Sequence, residues 1–211
     1  MFTPKPIRQA AAVCVLIVAT SGAFAQEAPE VGSERDRVST LAAQIATVMQ
    51  GLEDRAETYP QFITDLQDGV ATIEQADEQV AELISQLQIA TDQMDDNSEF
   101  DTAIDDYKAA TVALIAQAEA SPLELVKSAI PDLEVSLSEL EASDQRRAET
   151  VVEARNLIRV LEQNREAIAF FIKANQVQRA TDVIQSNLDE FEQIVDDGKN
   201  LASDLMDAAN P

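Results

Sequence analysis

Residues 38–94 read VSTLAAQIATVMQGLEDRAETYPQFITDLQDGVATIEQADEQVAELISQLQIATDQM. Steps of three and four residues from Val38 pick out Leu41, Ile45, Val48, Leu52, Arg55, Tyr59, Phe62, Leu66, Gly69, Ile73, Ala76, Val80, Leu83, Leu87, Ala90 and Met94. Only Arg55 and Gly69 interrupt this apolar row of 17 positions. Such spacing places side chains on one stripe of an α-helix, because about 3.6 residues complete a turn. A second row runs Leu123, Val126, Ile130, Leu133, Leu137, Leu140, and a third runs Val177, Thr181, Ile184, Leu188, Phe191, Val195, Gly198, Ala202, Leu205. Ile63, Val70, Ile84, Ile115, Leu157 and Phe171 stand beside the rows and widen the stripe beyond what a two-stranded coil buries. The expected fold is therefore all-α, an elongated antiparallel helical bundle with long coiled-coil-like helices. Aromatics at 4%, with 5 Gly and 7 Pro, leave little material for a sheet.

Capping chemistry proposes where the helices start. A Ser, Thr or Asn oxygen accepts from an orphan amide, and an acidic or amide side chain three residues on reaches back. Ser33 with Asp36, Thr58 with Gln61, Ser98 with Asp101 and Ser121 with Glu124 fit this pattern. Ser121 is the best of them, since Pro122 would follow at the first helical position. Asp95-Asp96-Asn97-Ser98 is the clearest turn. The expected helices span 33–57, 59–94, 98–120, 122–142, 143–174 and 176–208, with Pro60 and Pro131 as kinks or boundaries. The first two can form one bent rod.

Residues 1–25 have the organisation of a secretory leader. Lys5 and Arg8 supply a basic start, Ala10 to Thr20 an apolar core too short for a membrane span, and Ala23-Phe24-Ala25 a cleavage site before Gln26. Cys14 lies inside the apolar run, which disfavours a lipoprotein signal. The expected organisation is a cleaved leader (1–25), a flexible segment (26–32) and a single bundle domain (33–211). The product would be periplasmic or secreted, with no transmembrane span.

Composition excludes much chemistry. The chain has no His and one Cys, which the leader would remove. Disulfides, His/Cys zinc or copper sites, His-ligated haem, the Glu-x-x-His di-iron bundle and Ser-His or Cys-His nucleophile systems are all unavailable. With 39 acidic against 15 basic residues, a net charge of −24, the surface repels phosphate backbones. No nucleic acid, cofactor or catalytic residue is therefore expected. Weak, nonspecific divalent cation binding suits so acidic a surface. Asp95, Asn97, Glu99 and Asp106 fall at EF-hand ligand positions, but Phe100 stands where that loop needs Gly.

Charge is unevenly spread. Between Ser143 and Arg179 lie Arg146, Arg147, Arg155, Arg159, Arg165, Lys173 and Arg179 against five acidic residues. A near-neutral helix among acidic ones suits internal pairing. The sharper alternative is a partner or ligand surface of Arg155, Arg159, Arg165, Phe170 and Phe171. Arg165 keeps step with Ile158, Leu161, Ile168 and Ile172, so it is expected in a seam as a register-fixing polar residue, as is Arg55. Phe170, Phe171 and Ile172 are consecutive and cannot share one stripe, so one aromatic should meet a second helix, a subunit or a ligand. Alternatively the chain turns near Asn175. The functional expectation is an exported, non-enzymatic module of the bacterial cell envelope acting by protein contact or self-association. Its alternative is a small-molecule or cation-binding bundle with its ligand near Phe170 and Arg165.

Overall fold

A computed structural model describes residues 31–209; the expected leader and residues 26–30 lie outside them. Seven helices follow in order: α1 (Val31–Ala56), α2 (Tyr59–Gln67), α3 (Ile73–Met94), α4 (Glu99–Ala120), α5 (Glu124–Lys127), α6 (Ile130–Lys173) and α7 (Val177–Ala209). No strand occurs among the described residues. Helices α1–α2 and α3–α4 each make one interrupted rod, and α6 and α7 make two more. At roughly 1.5 Å per residue, the 44 residues of α6 extend about 66 Å.

Ion pairs fix the directions. Arg55 on α1 meets Glu82 on α3, and Arg37 nearer the start of α1 meets Asp106 on α4, so the second rod runs antiparallel to the first. Asp77 pairs with Arg165 and Lys108 with Asp144, so α6 opposes the second rod. Arg146 pairs with Asp204, and Lys199 with Glu53, so α7 opposes both α6 and α1. The four rods close into an up-down-up-down ring, tightest where α7 lies along α6 and α1, and sparsest between α1 and α3.

On α1 and α7 the core follows the apolar rows, with one shift, whereas in the second row Leu123 is exposed and Ile130 and Leu137 are half-buried. On α1 the fully buried row is Val38, Ala42, Ile45, Met49, Leu52, Ala56 and then Tyr59; Leu41 and Val48 are only half-buried. Arg55 therefore stands beside the seam, with Ala56 inside it. Gly198 of α7 lies hard against Met49 of α1. A Cβ there would lie 2.6 Å from Met49 Sδ and Cε. The row on α7 is buried from Thr181 to Leu205 as the spacing predicts, with Val177 half-buried.

Four helix boundaries differ from expectation. The 59–94 helix is broken at Gly69, which takes φ +70°. Val70 N–H reaches Asp65 O at 2.8 Å and Gly69 N–H reaches Leu66 O at 3.3 Å, the paired bonds of a Schellman stop. Thr72 then caps α3 in a full capping box with Gln75. Ser121 does not cap a helix as expected: its Oγ accepts from Leu123 N–H, and α5 is one short turn. The chain next runs unbroken through Ser143, which is buried, so α6 replaces two expected helices. Ser33 lies inside α1, whose first residue, Val31, belonged to the segment expected to be flexible. Thr58 Oγ1 donates to Arg55 O instead of capping. Ser98 does cap α4, accepting from Asp101 N–H at 3.1 Å. Pro60 and Pro131 both sit in first turns, as boundaries.

Candidate functional site

The acidic turn 95–98 is built around arginines of α6. Arg147 has 5% of its side chain exposed, although a guanidinium stays charged at any ordinary pH. Its Nη1 donates to Met94 O at 2.6 Å, closing the C-terminus of α3. Its Nη2 lies 2.5 Å from Asp101 and 3.5 Å from Asp96, and its Nε donates to Asp144 at 3.0 Å. A guanidinium fork suits this multiplicity. Arg155 pairs with Asp95 beside it. Burial alone would raise the Asp144 carboxyl, but hydrogen bonds from Lys108 and Arg147 outweigh it and hold the group below the ordinary carboxylate range. Of the EF-hand-like positions, Asp95 and Asp106 face Arg155 and Arg37, while Asn97 takes φ 63° and donates its N–H to Asp101. Among the described residues no group of three or more acidic, His or Cys side chains is placed to hold a metal ion.

Arg165 makes a two-bond fork on Asp77, at 2.8 and 2.7 Å. Both side chains are substantially exposed, so Arg165 ties α6 to α3 at the edge of the interface; the expected seam position is corrected. The same fork lowers the Asp77 carboxyl and raises Arg165. Arg55, similarly, pairs with Glu82 at 2.6 Å outside the seam. The sequence pattern missed Arg147, the charged residue that is buried among the described residues, because three of its four partners, Met94 O, Asp96 and Asp101, lie roughly fifty residues away along the chain. Of the five expected surface residues, Arg155 and Arg165 face α3, and Arg159 is exposed with a 3.5 Å hydrogen bond to Asn156 of its own helix.

Phe170 and Phe171 separate at the end of α6. Phe170 is 64% exposed, whereas Phe171 is half-buried beneath Arg179 of α7, 6.0 Å from the ring centroid. The two rings meet edge to face at 5.8 Å. The chain does turn at Asn175, at φ 57°, through Gln176 N–H to Phe171 O and Asn175 N–H to Ile172 O.

A second exposed apolar region occupies the opposite end. From the Arg37–Asp106 pair, six residues back along α1 reach Val31 and six forward along α4 reach Val112. From Arg146–Asp204, five forward along α7 reach Ala209 and five back along α6 reach Glu141. Residues 113–140 thus form a hairpin beyond the described ends of α1 and α7. Its inside is packed: Leu114, Ala118, Val126, Ala129 and Leu133 are buried, apart from the main core. Its outside is apolar in places, with Leu125 at 66% and Val135 at 53% exposure and Leu123 also exposed. Val135 precedes Arg146 by eleven residues, about three turns, and so continues the side of α6 that α7 covers further along.

No described helix is long and apolar enough to cross a membrane. The chain matches no protein family, and no curated protein and no solved structure is similar to it.

Proposed function

We propose that the protein is an exported, non-enzymatic helical module of the bacterial cell envelope that works by contact with another protein, as a spacer, adaptor or assembly factor. The observation carrying this reading is the hairpin 113–140, whose exposed Leu123, Leu125 and Val135 lie past the described ends of the helices that cover equivalent faces elsewhere. Exposed apolar side chains cost free energy in water, and a cluster of them marks a contact site. Export is supported by the basic start, apolar core and Ala23-Phe24-Ala25 of the leader. Exposed Phe170 and Arg159 extend the contact surface along α6. The test is in-cell photocrosslinking from position 125 or 170 against a polar control at position 163, with the mass of the protein in the periplasmic fraction. A mature chain beginning at Gln26 and one envelope protein joined from 125 or 170 but not 163 is expected. An uncleaved cytoplasmic chain, or identical products from all three positions, would reject the reading.

A second reading, a bundle that takes a small polar ligand, is favoured by an open groove between α1 and α3. Gly51, Asp54, Arg55, Thr58, Gln79 and Gln86 line it, around about 520 Å³ of space. It lies away from the expected Phe170 and Arg165 location. A ligand bound only by the folded chain raises its melting temperature in a saturable way. Absence of any such shift across amino acids, polyols and nucleosides would remove this reading.

A further inference from the structure

Among the described residues, five buried side-chain atoms have no hydrogen-bond partner, and two of them, Arg55 Nε and Gln86 Oε1, belong to residues lining the groove between α1 and α3. One is a donor and the other an acceptor, and they come from opposite walls. Glu82 engages both side chains at their other ends, taking Arg55 Nη2 at 2.6 Å and Gln86 Nε2 at 3.3 Å. Exchanging the two ends of the Gln86 amide would set its carbonyl against the Glu82 carboxylate, so the unpaired acceptor is inherent in the arrangement. Gln79, on the same wall as Gln86, has a side-chain amide with no hydrogen bond among the described residues. Thr58 and Asp54 line the α1 side, and at Gly51 an added Cβ would meet nothing within 4 Å. Buried polar atoms normally find partners, because one left unpaired loses its hydration without return.

From these atoms we propose that the groove binds a neutral polyhydroxyl compound, a sugar or polyol. The proposal deepens the second reading above and rests on it. An anion would meet Asp54 and Glu82 as well as the field of a chain at −24. A cation is attracted by those carboxylates but cannot accept from Arg55 Nε. A hydroxyl both donates and accepts, so hydroxyls on adjacent carbons can give to Gln86 Oε1 and receive from Arg55 Nε. A neutral amide offers that pairing only once. The free acceptors of the groove, on Asp54, Thr58, Gln79 and Gln86, outnumber its free donors, on Arg55 and Gln79, and so call for a ligand with donors on several carbons. Neither unpaired atom touches bulk water, so the ligand gains access by rotation of the half-buried Gln86 side chain away from its long bond to Glu82.

The test is titration calorimetry of the full chain with glucose, trehalose, glycerol and myo-inositol, against putrescine, glutamate and acetamide. Calorimetry replaces melting here because polyols stabilise any protein by exclusion from its surface. At least one sugar or polyol is expected to bind saturably at a single site. Gly51→Leu projects a side chain into the groove and should weaken that binding at least about 10-fold. Its circular dichroism should be unchanged, since position 51 is exposed and leucine favours a helix more than glycine does. Gln86→Met removes the unpaired acceptor at similar length and should also weaken binding. Binding that Gly51→Leu abolishes and Gln86→Met leaves intact would overturn the assignment of the unpaired atoms to the ligand. Saturable binding of putrescine, glutamate or acetamide but of no sugar or polyol, lost in Gly51→Leu, would overturn the hydroxyl class while leaving the groove a ligand site. Sugar binding untouched by Gly51→Leu would place it elsewhere and overturn the proposal. No binding of any of these probes would overturn both the proposal and the reading on which it rests.

Discussion

Arg147→Met offers the sharpest test of how the second rod is held. The substitution keeps an unbranched side chain of fair length and removes the guanidinium. Four interactions go with it: the bond to Met94 O at 2.6 Å and contacts to Asp101, Asp144 and Asp96 at 2.5, 3.0 and 3.5 Å. The carbonyl ending α3 loses its donor, and Asp101 and Asp144 are left facing each other, with Lys108 still on Asp144. Breaking a buried ion pair costs roughly 3–5 kcal/mol. Asp101 and Asp144 retain some access to water, which lowers this, and Met recovers some apolar contact, so about 2–4 kcal/mol is expected. For a domain of this size that is a fall in Tm of roughly 4–16 °C. Arg147→Lys keeps charge without the fork and should cost about half as much. The measurement is urea unfolding near neutral pH, with unchanged m. Acid titration adds a second signature. Asp144 is depressed when folded, so its contribution is present above the unfolded carboxylate pKa of about 3.9 and is lost as pH falls through the folded value. Without Arg147 that depression shrinks, and the variant's acid limb should be shallower. An Arg147→Met chain within about 0.5 kcal/mol of the original would refute the reasoning, because surface substitutions behave that way.

Gly198→Ala should be destabilising by up to about 2 kcal/mol, since overpacking against buried Met49 costs roughly 1–3 and the gain in helix propensity returns about 1. In a Met49→Ala background the sign should reverse, and a double-mutant cycle showing no coupling would remove the close-approach explanation. Gly51→Ala meets nothing within 4 Å and should stabilise by up to about 1 kcal/mol; a loss on thermal unfolding would contradict that. Thr72→Ala should cost about 1 kcal/mol through the capping box, and Thr58→Ala, which removes no cap, much less; equal costs in urea would count against the assignment. Burial pushes the Tyr59 phenol up to about 12 against the pull of Arg55, and the hydroxyl donates to Gln79 O at 3.1 Å. The stability this confers is complete below the unfolded pKa of about 10 and declines as pH rises towards the folded value, so the urea midpoint should fall across that interval. An ordinary tyrosine ultraviolet titration in the folded chain would contradict it.

Helical class and antiparallel rods were legible because the apolar rows keep step over tens of residues. The rows also carried the core of α7 nearly residue for residue. The seam of α1 was off by one at alternate positions because Leu41/Ala42, Val48/Met49 and Arg55/Ala56 are adjacent pairs at the same heptad place. Size favours the first member of two of these pairs, whereas close packing against α7 selects the second. The break at Gly69 had a local signal, Gly three residues before Thr72 with Gln75 beyond it, but an apolar row that continues in phase across a turn masks it. Ser143 looked like a boundary because it is polar, and burial against neighbouring helices overrides that preference. Arg147 was indistinguishable from its neighbours for a stronger reason: apart from Asp144, its partners are Met94 O, Asp96 and Asp101, and no local window contains them. Phe170 and Phe171, by contrast, could be separated by helical geometry, though which one faces α7 could not.

Closure of the ring by its first and last helices has a consequence for timing. During synthesis, α1 emerges first with Ala42, Met49 and Ala56 on one face, and the helix that covers this face, α7, emerges last. Until Val177 and the residues after it are made, the nascent chain can join neighbouring hairpins but cannot complete its interior. A chain stalled before α7 should therefore remain protease-sensitive and extensible, and release of the 33 residues of α7 should convert it to the closed ring in one step.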